Sequence, residues 1–329
     1  MVVPLSILDL ASVPDGSTIR STFDASVQLA QLAEKRGYRR IWYAEHHNMA
    51  SIASSATSVL IAHVAANTDS IRLGSGGVML PNHSPLTIAE QFGTLATLHP
   101  GRIDLGLGRA PGSDQVTMRA LRRDPGSSDS FPQDVLELQG YLTGNSRVSG
   151  VNAVPGQGTD VPLYILGSSL FGAQLAAHLG LPYANASHFS PDSLEQAVSV
   201  YRDTFRPSAQ LEQPYVIAGV NAIVADTSAE AHELREASAR RRVVQMVGRG
   251  RTFSAEEIEM IMDSPAAQQI LQMMKFTAVG TAGEAKDYLD SFATRFGADE
   301  LIVASHIDDR QKWLRSYDLL ADAMLPVPA

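Results

Sequence analysis

Between residues 71 and 113 two short apolar runs, each ending in glycines, flank an amphipathic segment over 85–98. The first run is Ile71-Arg72-Leu73-Gly74-Ser75-Gly76-Gly77-Val78-Met79-Leu80 and the second Ile103-Asp104-Leu105-Gly106-Leu107-Gly108. Near-continuous apolar runs of this length read as strands buried on both faces, and the helical segment between them makes a βαβ unit, which obliges a parallel sheet. Glycine at the exit of a buried strand lets the backbone approach a flat ligand closely, or take angles that a side chain forbids. A cofactor is expected here.

The same alternation runs along the whole chain. Further strands read over 3–10, 38–44, 161–166, 181–186, 215–225 and 300–304. Helical patterns fall over 18–36, with Gly37 as a stop, and over 54–66, 131–142, 191–205, 281–296 and 311–324; another carries Ala173, Leu175, Ala176 and Leu179. Residues 109–130 and 143–160 read as loops, the first long enough to be functional or mobile. The pattern stays helical over 228–247, and the short helical pieces over 248–274 read as an insertion. Eight parallel strands with helical crossovers favour closure into a (β/α)8 TIM barrel over an open sheet, and such barrels commonly form one unit of about 250 residues or more. The expectation is a single domain over residues 1–329 with the insertion in its C-terminal half.

Hydrophobic residues make up 44% of the chain and charged residues 19%, enough apolar mass for a large core. A formal charge of −9 argues against a nucleic-acid or anionic-membrane surface. The absence of cysteine excludes disulfides, thiolate metal sites and cysteine nucleophiles, leaving only metals held by His and carboxylates, and none is expected. Met1-Val2-Val3-Pro4-Leu5-Ser6 has no basic or apolar leader pattern, and no run reaches the roughly 18 apolar residues of a membrane span, so a cytoplasmic protein is expected.

In a barrel of this kind the active site lies at the carboxyl ends of the strands. Those ends present Asp9, Glu45-His46-His47, Ser75-Gly76-Gly77, Gly108-Arg109, Gly167-Ser168-Ser169, Ser187-His188 and Ser305-His306. Successive residues in extended geometry point to opposite faces, so one of His46 and His47 aims into the mouth, either for chemistry or to hold a loop. The pair Gly76-Gly77 serves either a bulge required by barrel curvature or a ligand. Gly167-Ser168-Ser169 stands where a strand gives way to a helix, which suits an anion as well as ordinary serine capping. Asp9, Asn82, His83, His188 and His306 are secondary candidates, with His83 as suited to orienting a loop as to touching ligand. His63, His99, His178 and His232 fall in or beside helices and read as packing or surface residues, and Arg240-Arg241-Arg242 reads as a solvated helix face or a patch for an acidic partner.

The order Gly74-Ser75-Gly76-Gly77-Val78-Met79-Leu80-Pro81-Asn82-His83, Glu90-Gln91, then Gly101-Arg102-Ile103-Asp104-Leu105-Gly106-Leu107-Gly108-Arg109 resembles the bacterial luciferase-like flavin monooxygenase family, more its single-chain members than its light-emitting subunits. The resemblance covers nearly the whole chain. It implies an FMN-dependent monooxygenase that uses reduced flavin and O2 to oxygenate a small organic substrate such as an aldehyde or ketone. It puts the catalytic histidine on His46 in the Glu45-His46-His47 motif, a non-proline cis peptide between Gly76 and Gly77 under the flavin ring, and the FMN phosphate at Gly167-Ser168-Ser169 with help from Arg109. Two departures stand out: luciferases carry an acidic residue at the position of Ser168 and a cysteine at that of Gly108. The resemblance further implies reduced FMN supplied by a separate flavin reductase, and a homodimer formed through helices near residues 54–66.

A deazaflavin-dependent oxidoreductase of the same superfamily would use the same barrel and transfer hydride, and a non-catalytic flavin-binding barrel would keep the fold without the chemistry. A metal-dependent barrel hydrolase would place His-x-His on an early strand, and no such triplet occurs. A Rossmann dehydrogenase would need G-x-G-x-x-G entering a helix, whereas Gly106-Leu107-Gly108-Arg109-Ala110-Pro111-Gly112 has one residue too many and a proline inside.

Overall fold

The computed structural model describes residues 3–110, 114–248, 251 and 253–325; residues 111–113 of the long loop and 249, 250 and 252 of the insertion lie outside the described residues. Each βα unit follows from local chemistry. Strand β1 (Leu5–Asp9) leads to α1 (Ile19–Arg36), which starts at a Thr18 capping box and stops at Gly37 in the left-handed region. Strand β2 (Arg40–Tyr43) is followed by α2 (Thr57–Ala65), β3 (Arg72–Met79) by α3 (Pro85–Leu98), and β4 (Ile103–Gly108) by α4 (Gln115–Ala120) and α5 (Phe131–Thr143). Then come β5 (Leu163–Gly167), α6 (Leu170–Leu179), β6 (Tyr183–Asn185), α7 (Leu194–Thr204), β7 (Val216–Val224) and α8 (Ser228–Gly248). The chain ends with α9 (Ala255–Met262), α10 (Pro265–Met273), β8 (Thr277–Gly280), α11 (Ala282–Phe296), β9 (Glu300–Ala304) and α12 (Arg310–Met324).

All pairings are parallel, and β6 pairing with β7 closes eight strands into a barrel in which β9 fills the place between β7 and β1. Strand β8 is a ninth strand that the sequence reading does not contain. It pairs with the last four residues of β7, beyond the reach of β6, so β7 is long enough to carry two neighbours in succession on one edge. The long loop after β4 also holds more structure than its polar sequence suggests: the Asp114 carboxylate accepts from Thr117 N at 2.7 Å and caps α4. The segment read as an insertion folds in its described part into α9 and α10, and Ala267 and Ile270 of α10 pack against Val243 of α8.

Alternation along the strands divides the core in two. Outward residues such as Leu5, Ile7, Ile41, Leu73, Leu105 and Leu107 join the helices in one large cluster. Inward residues form a second cluster that includes Leu8, Trp42, Tyr164, Ile217 and Ile302. The inward positions change character along the axis. Near the amino ends of the strands they carry Arg40, Asp104 and Glu300, all buried; near the carboxyl ends they are Gly76, Gly108, Ala44, Ala184 and Ala304. The barrel is filled at one end and left with space at the other. Among the described residues no helix is long and apolar enough to cross a membrane.

Candidate active site

Three adjacent strands build the floor of the mouth. The β3–β4 register shifts between Ser75 and Val78, forming a bulge at Gly76 and Gly77, and the peptide between these two glycines is cis. Past the bulge Met79 lies beside Gly108, and Gly108 beside Leu166. The glycine pair and the Gly167 turn are therefore two strand spacings apart, roughly 10 Å. Gly76, Gly77, Gly108, Gly167 and the following Ser168 are all partly exposed, as are Met79 and Leu166 beside them.

These glycines have different reasons to be glycine. A Cβ on Gly77 would lie 2.7 Å from Gly106 O, a backbone clash that requires glycine, whereas one on Gly76 would be crowded by Leu8 Cδ1 at 2.8 Å and Trp42 Cβ at 3.0 Å. A Cβ on Gly108 would meet nothing nearer than Val78 O at 3.9 Å, and one on Gly167 nothing nearer than 3.6 Å. Among the described residues packing does not demand glycine at 108, and none of their other atoms crowds the position a Cβ would take. Ser75, by contrast, is fully buried and its hydroxyl donates to Gly106 O at 2.8 Å.

At the edge of this floor the Arg109 guanidinium sits 4.1 Å from the centre of the Phe171 ring, in the first turn of α6. Ser169 occupies the N-cap position of α6 but its side chain makes no cap hydrogen bond. The first-turn amides of α6 and a cation are thus brought to one place, and ordinary serine capping does not account for the turn.

Of the Glu45-His46-His47 motif, Glu45 and His47 hold the loops together. Glu45 Oε1 accepts from His47 Nε2 at 2.7 Å and from His83 Nε2 at 2.8 Å, and Oε2 accepts from Met79 N at 3.0 Å. One buried carboxylate so ties the loop after β2 to the end of β3 and to the turn that carries His83. Burial by itself would raise the Glu45 pKa, but the hydrogen bonds from His47 and His83 outweigh it and the group lies below the ordinary carboxylate range. The same bond raises the pKa of His47 against a smaller effect of burial. The ligand atoms of Glu45, His47 and His83 lie within 4.8 Å of one another, the spacing of a cation site, and both imidazoles already satisfy the carboxylate.

His46, between them, is partly exposed and close enough to His188 to disfavour its protonation. Burial, then the fields of His306, Arg242 and His46, lower the His188 pKa to about 3. Burial, then Arg242 and Arg241, lower that of His306 to about 4. Both rings are neutral at neutral pH. The mouth therefore gathers His46 after β2, His188 after β6 and His306 after β9, three of the residues that the sequence places at the carboxyl ends of the strands. Asp9 turns away: it accepts from Ala11 N at 2.7 Å and Ser26 Oγ at 2.6 Å, and burial raises its pKa.

A closed parallel barrel with its polar side chains collected at the carboxyl ends of the strands has the architecture of a TIM-barrel enzyme. The chain belongs to the luciferase-like monooxygenase family, whose profile matches residues 3–300. It is 51% identical over 325 residues to a luciferase-like monooxygenase of Escherichia coli strain K12, covering 97% of this chain and 96% of that one. It is 32% identical to the N-acetyl-S-alkylcysteine monooxygenase of Bacillus subtilis strain 168, over 98% of this chain and 99% of that one. Among solved structures it is similar to apo-MsnO8, with 37% identity, a TM-score of 0.87 and coverage of 98% and 99%. The same fold recurs in the oxygenating constituent of 3,6-diketocamphane monooxygenase from Pseudomonas putida in complex with FMN, at TM-score 0.74, 18% identity and coverage of 98% and 99%. It recurs also in an F420-dependent secondary alcohol dehydrogenase, at TM-score 0.71, 14% identity and coverage of 100% of both chains.

Proposed function

We propose that the protein is an FMN-dependent monooxygenase acting on a small organic substrate such as an aldehyde, ketone or thioether. The observation that carries this reading is the floor of partly exposed small residues across β3, β4 and β5, with no described atom crowding a Cβ at Gly108, leading to Arg109 and the α6 turn. A flat ring with an anionic tail has that shape. Gly76, Gly77 and Gly108 would lie under the ring, and Gly167, Ser168, Ser169 and Arg109 would hold the phosphate through amide, hydroxyl and guanidinium donors. Ser75 contributes by fixing β3 to β4. When bound, the reduced flavin supplies the activation of O2 and the transfer of one oxygen atom.

The chain's own part is to position and to manage protons. His46 is the group placed to exchange a proton with substrate or cofactor, and Glu45 holds the backbone on either side of the mouth through Met79 N, His47 and His83. The names of the relatives, a luciferase-like monooxygenase and an N-acetyl-S-alkylcysteine monooxygenase, favour oxygen transfer over the hydride transfer of a deazaflavin enzyme. A separate flavin reductase would deliver the reduced cofactor. We further propose a homodimer formed through α2 and α3, where Val59 and Leu98 are exposed at 68% and 64%; a monomer by light scattering at micromolar concentration contradicts it.

The reading is tested by titrating the protein with FMN and with the deazaflavin F420, then measuring oxygen uptake with reduced FMN over a panel of aldehydes, ketones and thioethers. FMN binding with substrate-dependent oxygen uptake is expected. Tight binding of F420 alone assigns the deazaflavin reaction instead, and flavin binding without oxygen uptake on any substrate assigns a binding protein.

A further inference from the structure

Beside the proposed flavin floor, at the carboxyl ends of β1 and β9 and beneath α8, lies a cavity of about 230 Å³. It is separate from the floor but adjoins it, because Leu8 lines the cavity and is also the side chain against which Gly76 packs. The arginine triplet of α8 meets this cavity, and the three residues part company there. Arg240 is exposed and paired with Glu259. Arg241 pairs with Asp308 and donates to Val13 O at 2.9 Å. Arg242 lines the cavity and, among the described residues, has no hydrogen bond or ion pair, so the triplet is not a uniformly solvated face.

Among the described residues no carboxylate pairs with Arg242, although Asp9 and Asp308 line the same cavity. His306 lines the same cavity, and both it and His188 are held neutral by burial and by the positive field of Arg242. The carboxylates within reach are engaged elsewhere, Asp308 by Arg241 and Asp9 by Ala11 N, Ser26 and the field of Arg310. Two hydroxyls on the cavity wall, Ser238 Oγ and Ser305 Oγ, are buried without a hydrogen-bond partner among the described residues. Buried polar groups normally find partners, and Arg242, partly exposed on the cavity wall, has no fixed one among the described residues. One cation and two hydroxyls without partners around a single cavity describe a site that a carboxylate would complete.

We propose that this cavity receives a carboxylate carried by the substrate, with Arg242 as the charge partner and Ser238 and Ser305 as hydroxyl donors. The volume lies below the roughly 300 Å³ at which ligand pockets usually begin, so it takes the acid end of a small acyclic molecule while the rest extends over the glycine floor toward His46. The inference deepens the monooxygenase reading by naming a substrate class, and it rests on that reading for the word substrate.

The test is calorimetric titration of the full chain, with and without FMN, using straight-chain C4 to C8 carboxylates and their primary amides. The carboxylates are expected to bind about tenfold or more tightly than the amides. Arg242→Gln should abolish that preference and Arg242→Lys should retain most of it, with FMN affinity unchanged in both and folding checked by circular dichroism. The inference is overturned if the wild-type chain shows no preference for the charged ligand, if the preference survives Arg242→Gln, or if Arg242→Gln weakens FMN instead. A carboxylate preference in a chain that binds no FMN leaves the anion site standing and removes the flavin reading.

Discussion

The two ends of the barrel hold polar residues in opposite states. At the amino ends of the strands Arg40, 1% exposed, contacts Asp104 Oδ2 at 2.8 Å, Glu300 Oε1 at 2.9 Å and Tyr164 OH at 2.7 Å. Trp42 Nε1 and Arg72 also donate to Asp104, while Ser6 and Tyr215 donate to Glu300. Burial opposes the charge of Arg40, yet the two carboxylates outweigh it and raise its pKa. At the carboxyl ends His188 and His306 are kept neutral, Arg242 lacks a counter-ion among the described residues, and glycine stands where a Cβ would meet no close described atom. The comparison teaches that one end is closed by paired charges and serves stability, while the other leaves particular groups, Arg242, Ser238 and Ser305, without partners among the described residues and keeps space open for ligands.

The largest expected effect comes from the closed end. Arg40→Met leaves Asp104 and Glu300 short of their shared cation and should lower unfolding free energy by about 3–5 kcal/mol in a denaturant titration. FMN affinity, measured where the variant is still folded, should be unchanged; a large loss of affinity would join two ends that we describe as independent. His46→Ala should do the reverse, lowering turnover by about 10² or more while stability moves by about 1 kcal/mol or less. Unchanged turnover removes His46 from the mechanism. Within the mouth, Gly77→Ala should lower stability by about 1–3 kcal/mol because its Cβ meets Gly106 O. Gly108→Leu should leave the melting temperature nearly unchanged and weaken FMN by about tenfold, and equal effects at the two positions would erase the distinction between a packed and an open glycine.

The smallest effect concerns pH. His188 and His306 stay neutral in the fold down to about 3 and about 4, whereas the unfolded chain binds protons near 6.5. The unfolded state therefore holds more protons between those limits, and stability should fall as pH drops from 6.5 toward 4. His306→Gln should flatten that limb. His47 acts in another window: its raised pKa gives stability that is complete below 6.5 and is lost as pH rises through the folded value. A stability profile flat from pH 4 to 6.5 would mean that the mouth histidines are solvated like surface groups.

The barrel was legible because strand and helix periods alternate along the chain and because the glycine-ended strands at residues 71–80 and 103–108 carry a long ordered motif. The β3 bulge and the helical character of residues 255–273 lie where the residues pointed, and the cis peptide falls where the family resemblance put it. Three things were hidden. Strand β8 exists only because β7 extends past β6 and offers four further residues for pairing. The closed end joins Arg40, Asp104 and Glu300, which are up to 260 positions apart in sequence, through contacts that only closure creates; their one signal is a charge inside an otherwise apolar strand. His188 and His306 were placed at strand ends by the sequence, but the approach of Arg242 to them was not, because nothing in the arginine triplet separates Arg242 from its neighbours until α8 is laid over the barrel.

A crystal structure of the protein with FMN tests the central claim most directly. The account predicts the isoalloxazine ring over Gly76, Gly77 and Gly108, with the phosphate between Arg109 and the amides that follow Gly167. A ring bound on another face, or a phosphate seated at Arg242 and His306, would contradict it.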